Sequence, residues 1–186
     1  MRKLISSINI SLDGYADHTV AIADDELHDF YTDQMDTIGM VLFGRVTYQL
    51  LEEYWPHAAE DPGATSSEVA FARKINAIPK IVFSHTLEKA DWNNTRLVKG
   101  DPLVEVAKLK QGTGKDLSVG GLRLIQTLTR AALIDEYWLL VQPLLAGEGR
   151  RYWESLPDRL DLKLAGTQTF RSGVVVLHYL RERGSS

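Results

Sequence analysis

The sequence contains no cysteine. That absence excludes a disulfide framework, a thiolate nucleophile, a zinc–thiolate site and an iron–sulfur cluster together, and it fits a reducing compartment. An excess of cations is also missing. Lys and Arg number 21 against 25 Asp and Glu, a net charge of −4, so no basic surplus is available to neutralise a nucleic-acid backbone. Nucleic acid is therefore not expected as a partner. Apolar runs are short, and none approaches the ~18 residues of a membrane span. The segment Met1–Ser7 turns polar at once, without the roughly 7 to 15 apolar residues of a signal peptide. No membrane partner is expected, and the expected address is the cytoplasm.

Several catalytic signatures are missing too. His18, His28, His57, His85 and His178 are scattered without the H-E-x-x-H spacing; most of them read as surface or loop residues, and no metal site is expected. There is no G-x-S-x-G elbow, which removes the simplest route to a serine hydrolase. Neither the G-x-G-x-x-G fingerprint nor the G-x-x-x-x-G-K-[ST] phosphate loop occurs, so the common nucleotide folds are unsupported.

What remains is an ordinary globular composition, 44% hydrophobic and 25% charged. The 186 residues fit one domain at a soft ~150 residues per domain. The loop Pro56–Ser66 is too short to separate two, so residues 1–186 are expected to form one domain. Leu4–Leu12 alternates, with Leu4, Ile8 and Ile10 opposite Ser7, Asn9 and Ser11, and predicts a strand with one polar face. Asp25–Met35 carries Leu27, Phe30, Tyr31 and Met35 at helical spacing behind Asp24 as cap. Gly39–Phe43 reads as a strand, Gly44 closes it, and Val46–Tyr54 returns to helix; Ser67–Ala77 is helical and Lys80–Ser84 a strand. Thr95–Val98 reads as a strand, followed by a helix around Val104, Ala107 and Leu109. Asp116–Val119 is a strand, broken by Gly120-Gly121 before the helix Leu122–Ala132.

The last third changes character. Ile134–Gln142, Leu160–Phe170 and Val174–Leu180 are strand-like runs, and the tail Arg181–Ser186 reads as a frayed end. Strands alternating with helices and then a strand-rich end predict an α/β fold. It is a three-layer α/β/α arrangement, with a mixed, mostly parallel eight-stranded sheet finished by antiparallel strands. Such sheets bind ligands at the carboxyl ends of their strands.

Two strand–glycine–helix turns lie where that crevice should be, Phe43-Gly44-Arg45-Val46-Thr47 and Val119-Gly120-Gly121-Leu122-Arg123. A missing side chain lets backbone approach a ligand, and free helix N–H groups favour an anion. Arg45 and Arg123 add forked cations suited to phosphate. Each turn alone serves equally as a tight turn; the pair suggests a clamp on a diphosphate. Ser84-His85-Thr86 ends a third strand, either as a plain polar exit or as contacts to a ribose and its phosphate. Tyr137-Trp138-Leu139-Leu140-Val141 reads as a buried strand or a subunit face, and a homodimer is expected.

The order of Ser11-Leu12-Asp13-Gly14, Leu42-Phe43-Gly44-Arg45-Val46-Thr47-Tyr48, Phe83-Ser84-His85-Thr86-Leu87, Asp91-Trp92-Asn93-Asn94, Val119-Gly120-Gly121 and Leu133-Ile134-Asp135-Glu136 leading to Pro143-Leu144-Leu145-Ala146-Gly147-Glu148-Gly149 resembles the dihydrofolate-reductase-like superfamily. It is closest to the branch similar to the reductase domain of the riboflavin-pathway deaminase-reductase. The resemblance spans almost the whole chain and implies an NADPH-binding reductase. By matching position, it implies that Gly44, Arg45, Val46 and Thr47 meet the cofactor phosphates, Ser84, His85 and Thr86 the adenosine ribose phosphate, and Gly120, Gly121, Leu122 and Arg123 the diphosphate. Asn9 and Ser11 would lie near the nicotinamide, and Leu51 would wall the substrate pocket.

Glu26 is the candidate proton donor or substrate anchor, matching a helix carboxylate that grips the pterin; as an acid in a first turn it also reads as a partner of the helix dipole. Asp13 is either a turn residue or a substrate contact. Two departures separate the chain from riboflavin-pathway reductases. Gln49-Leu50-Leu51-Glu52 replaces an aspartate and proline after the second strand, and Ser118-Val119 replaces an acid before the double glycine. The expected activity is hydride transfer to a pterin, aminopyrimidine or related heterocycle. Dihydrofolate reduction, or a non-catalytic nucleotide- or drug-binding module, are the alternatives.

Overall fold

The polar-faced strand at the start of the chain becomes an interior strand of a single sheet, flanked on both sides by parallel neighbours. The computed structural model describes residues 1–16, 18–153, 156–157 and 159–182. In chain order the elements are β1 (Leu4–Ser11), α1 (Asp25–Gln34), β2 (Ile38–Gly44), α2 (Arg45–Glu52), α3 (Ser66–Ala77), β3 (Lys80–Phe83), β4 (Thr95–Val98), α4 (Pro102–Gln111), β5 (Asp116–Gly120), α5 (Leu122–Arg130), β6 (Glu136–Gln142), β7 (Leu162–Thr169) and β8 (Val175–Arg181). Short 3-10 turns occupy His18–Val20 and Ala58–Glu60. The 8-stranded sheet runs β4-β3-β2-β5-β1-β6-β8-β7. All pairings from β4 through β6 are parallel, and β8 runs antiparallel to both β6 and β7. Of the tail expected to fray, Arg181 belongs to β8, and residues 183–186 lie outside the described residues.

Helices cover both faces. One core joins Leu4, Leu42, Leu117 and Val119 of the sheet to Val106 of α4 and Ile125 and Leu128 of α5. On the opposite face Val41, Phe43 and Val82 pack with Tyr48 of α2, Ile75 of α3 and Trp92. Each such fully buried aliphatic side chain contributes ~1.5–3 kcal/mol relative to exposure. Leu27 of α1 joins Leu140, Phe170 and Val176 in a third cluster. Within the run Tyr137–Val141, Tyr137 and Leu140 have no exposed surface, and Trp138, Leu139 and Val141 are half-buried.

One polar group is built into the second core. Lys80 opens β3, is 1% exposed, and its Nζ donates to the carbonyls of Ile75, Asn76 and Ile78 at 2.7, 3.3 and 2.9 Å. These are the orphan acceptors at the carboxyl end of α3, which a cation satisfies well. The same ammonium lies 4.7 Å above the Trp92 ring. Burial pushes the Lys80 ammonium down to about 8.

Candidate functional site

The two glycine turns are neighbours because β2 and β5 pair in parallel, with Phe43 opposite Gly120. Both strands stop at the same edge and feed helices whose first N–H groups point back toward that edge. The caps differ from those elsewhere in the chain. Helices α1, α3 and α4 each have a side chain, Asp24, Thr65 or Asp101, accepting from a first-turn amide. Helices α2 and α5 begin at Gly44 and Gly121, with no side-chain hydrogen bond at either cap. Their free amides are therefore available to an anion.

Gly121 has φ +99, which an L side chain rarely adopts, and a Cβ there would sit 2.6 Å from Thr47 Oγ1 and 3.7 Å from the Gly44 nitrogen. The two turns thus close on one point. A Cβ at Gly120 would press on Phe43 Cε1 at 3.0 Å. At Gly44 a Cβ would have only Leu124 Cβ within reach, at 3.9 Å, so the space over that turn is open.

A cleft of about 980 Å³ opens here, lined by Gly44, Arg45, Val46, Thr47, Gly120, Gly121, Leu122 and Arg123 from the turns, and by Ser84 and His85 at the end of β3. The uncapped amides at both turns, and the bare Gly121 where a Cβ would intrude, leave backbone open to an anion, which fits the diphosphate of a dinucleotide. The Arg45 guanidinium lies along its own helix, donating to Gln49 Oε1 at 3.0 Å. Ser84 Oγ is partly spent on its turn, accepting from Leu87 N at 2.9 Å. Thr86, expected beside Ser84 and His85, is exposed and does not line the cleft.

Beyond the cradle the cleft becomes apolar and aromatic. Asn9 of β1 lies at its floor, held at both ends: Gln142 Nε2 donates to its Oδ1 at 2.8 Å, and its Nδ2 donates to Tyr31 OH at 3.1 Å. Burial pushes the Tyr31 phenol up to about 12, so it stays neutral. Leu51 of α2 lines the cleft wall. Leu27, His28, Trp55, Phe71 and Trp138 complete the chamber.

Three expected contacts lie elsewhere. Ser11 has no exposed surface, and its Oγ donates to Asp13 Oδ1 at 2.6 Å. Asp13 in turn accepts from the Ala146 and Gly147 nitrogens at 3.0 and 2.8 Å. These bonds, Ser11's foremost, hold the Asp13 carboxyl at about 2. The pair ties the exit of β1 to the loop after β6 and does not line the cleft, so its geometry is that of a loop brace. Glu26 also faces away. Its Oε2 accepts from Arg171 N at 2.7 Å, and Oε1 lies 3.6 Å from Arg171 Nε. It secures the turn between β7 and β8, because the first turn of α1 abuts that hairpin.

His28 is not among the surface or loop histidines: it is 7% exposed and lines the cleft. It follows Leu27 and precedes Tyr31 by three positions, which places all three on the inner stripe of α1. That spacing was the available signal, but a core stripe produces the same pattern. The side chain of His18 lies outside the described residues. Among the described residues, no helix is long and apolar enough to cross a membrane.

Known proteins resemble this chain in sequence or in fold. The chain is 33% identical to the uncharacterized protein YyaP of Bacillus subtilis over 96% of this chain and 94% of that one. It is 26% identical to the uncharacterized protein YwjB of the same organism, over 97% and 98%. Its fold matches a putative riboflavin biosynthesis protein from Shewanella sp. PV-4 with a TM-score of 0.74 at 21% identity, covering 98% of this chain and all of that one. It also matches Acinetobacter baumannii RibD with a TM-score of 0.67 at 15% identity, covering 98% of this chain and 59% of that one. The family model described as the RibD C-terminal domain matches residues 2–176, and the chain belongs to that family.

Proposed function

We propose that the chain is an NADPH-dependent reductase acting on a pterin, an aminopyrimidine or a related heterocycle. The observation that carries this reading is the convergence of two uncapped helix N-termini on one point beside an aromatic chamber. Membership of the RibD C-terminal family and the riboflavin-biosynthesis neighbour support it. Bound NADPH would supply the hydride. The first amides of α2 and α5, with Arg45 and Arg123, would hold its diphosphate, and Ser84 and His85 would meet the adenosine ribose phosphate.

The chain's own contribution is alignment and dryness. Asn9 is fixed by Gln142 and Tyr31, so it presents one orientation to whatever lies on β1. Leu51, Trp55 and Trp138 wall the adjoining space against water. Positioning of this kind converts an encounter into a unimolecular step.

The test is to mix the protein with NADPH and, separately, a pterin, the aminopyrimidine precursor of riboflavin and dihydrofolate, following loss of the reduced-nicotinamide absorbance. Oxidation with a pterin or the aminopyrimidine supports the reading, and oxidation with dihydrofolate alone makes the enzyme a dihydrofolate reductase. Tight NADPH binding without oxidation by any of them identifies a binding module, and absence of NADPH binding removes the reading.

A further inference from the structure

The cofactor cradle is rich in cations, but the wall contributed by α1 carries no available charge. Asp24 caps its own helix, Asp25 accepts from Thr65 Oγ1 at 2.7 Å, Glu26 is tied to Arg171, and Asp29 and Asp33 are exposed on the outer stripe. At the other end of the cleft Asp116 accepts from the Lys3 nitrogen at 2.7 Å. Glu136 there pairs with Lys3 Nζ at 2.7 Å and His178 Nε2 at 2.9 Å. A positively charged ring entering this chamber would meet no free carboxylate.

What the chamber does contain is unspent hydrogen-bonding capacity. The His28 Nδ1 is buried without a hydrogen-bond partner, and the residue lines the cleft. The imidazole is held by rings alone, edge-on to Trp55 with centroids 5.7 Å apart and tilted to Phe71 at 6.2 Å. Trp55 and Phe71 stand against each other at 4.5 Å. Buried polar atoms are satisfied in native structures far more often than not, so an orphan on a cleft-lining imidazole marks a place where something supplies the missing bond. A flat heterocycle does so with its edge while its faces meet the aromatic walls.

We propose that His28 is the substrate-binding histidine of this site, and that the ring it hydrogen-bonds is a planar nitrogen heterocycle carrying no positive charge. This rests on the reductase reading of the cleft. The carboxylate expected from Glu26 is replaced on the inner stripe of α1 by an imidazole, which can donate at one nitrogen and accept at the other.

The experiment is a titration with pterin, without NADPH, read by calorimetry and by nitrogen NMR of labelled histidine side chains. Wild-type protein is expected to bind pterin with a shift of the His28 ring signals, whereas NADPH alone leaves those signals in place. His28→Phe is expected to weaken pterin about tenfold, the loss of roughly one hydrogen bond, without altering NADPH affinity. His28→Asn is expected to recover part of the loss. Equal pterin affinity in wild type and His28→Phe overturns the proposal, as does a wild-type protein that binds no pterin. If His28→Phe does not fold, the wild-type ring signals decide: unchanged signals at saturating pterin overturn it. Failure of NADPH to bind would instead remove the reductase reading, while the pterin titration still decides His28.

Discussion

Replacing Gly121 by alanine tests the cradle at its tightest point. The residue holds φ +99 and ψ 121, where an L side chain is strained by ~1–3 kcal/mol. The new methyl would also start 2.6 Å from Thr47 Oγ1 and 3.3 Å from Thr47 Cβ. Thr47 sits in α2, where a β-branched side chain has few rotamers to retreat into. At ~2–4 °C per kcal/mol for a chain of this size, the melting temperature should fall by about 2 to 12 °C. The methyl also enters the space between the two turns, so NADPH affinity should fall with it. Two companions separate these effects. Adding Thr47→Ala removes the Oγ1 clash but not the dihedral strain, so it should restore only part of the melting temperature. Gly44→Ala meets nothing closer than 3.9 Å and should melt as wild type, yet bind NADPH at least about tenfold more weakly because its methyl covers free amides. Circular dichroism melts and calorimetric titration provide both readings. A Gly121→Ala protein with wild-type melting and wild-type NADPH affinity would refute the reasoning.

Other consequences concern the frame. Lys80→Met leaves the Ile75 and Ile78 carbonyls without the lysine donor, while Asn76 keeps that of Asn94 Nδ2, and should cost ~1–3 kcal/mol for each one left buried and unsatisfied, read by urea unfolding. Because the folded Lys80 loses its proton at about 8 and the ordinary value is 10.5, the unfolded chain binds the extra proton between those values. Wild-type stability relative to Lys80→Met should therefore rise as pH climbs through that window and stay flat below it. Asp13 behaves in the opposite range: its carboxyl titrates at about 2 instead of 3.8, so its stabilisation is complete above the ordinary value and lost as pH falls toward 2. Asp13→Ala should abolish that acid dependence and speed proteolysis at residues 143–149, with Asp13→Asn intermediate. Glu26→Ala should leave NADPH affinity unchanged and turnover within about twofold, since its half-exposed tie to Arg171 is worth ~0–1 kcal/mol; a collapse of turnover would return Glu26 to the reaction.

The order of strands and helices was legible because each element carries its own periodicity. Leu4–Ser11 alternates, and Leu27 with Tyr31 repeats at helical spacing. The two glycine turns were legible for the same local reason. The position of β8 between β6 and β7 was not, because it depends on pairings such as Glu136 with Leu180 that no local pattern encodes. The site divided along the same line. Gly44 and Gly121 come together through one parallel pairing, whereas Glu26 was misplaced because its partner, Arg171, lies 145 positions away. His28 was hidden by degeneracy: a helix stripe facing an open cleft and one facing a packed core have the same spacing, and only tertiary structure distinguishes them.

The grip on the diphosphate can be watched directly by phosphorus NMR of NADPH titrated with wild-type protein and with Gly44→Ala. The two diphosphate resonances should move on binding wild type, and the bound fraction should drop with the variant under identical conditions. If only the ribose phosphate resonance moves, or if both proteins shift the diphosphate equally, helices α2 and α5 do not hold it.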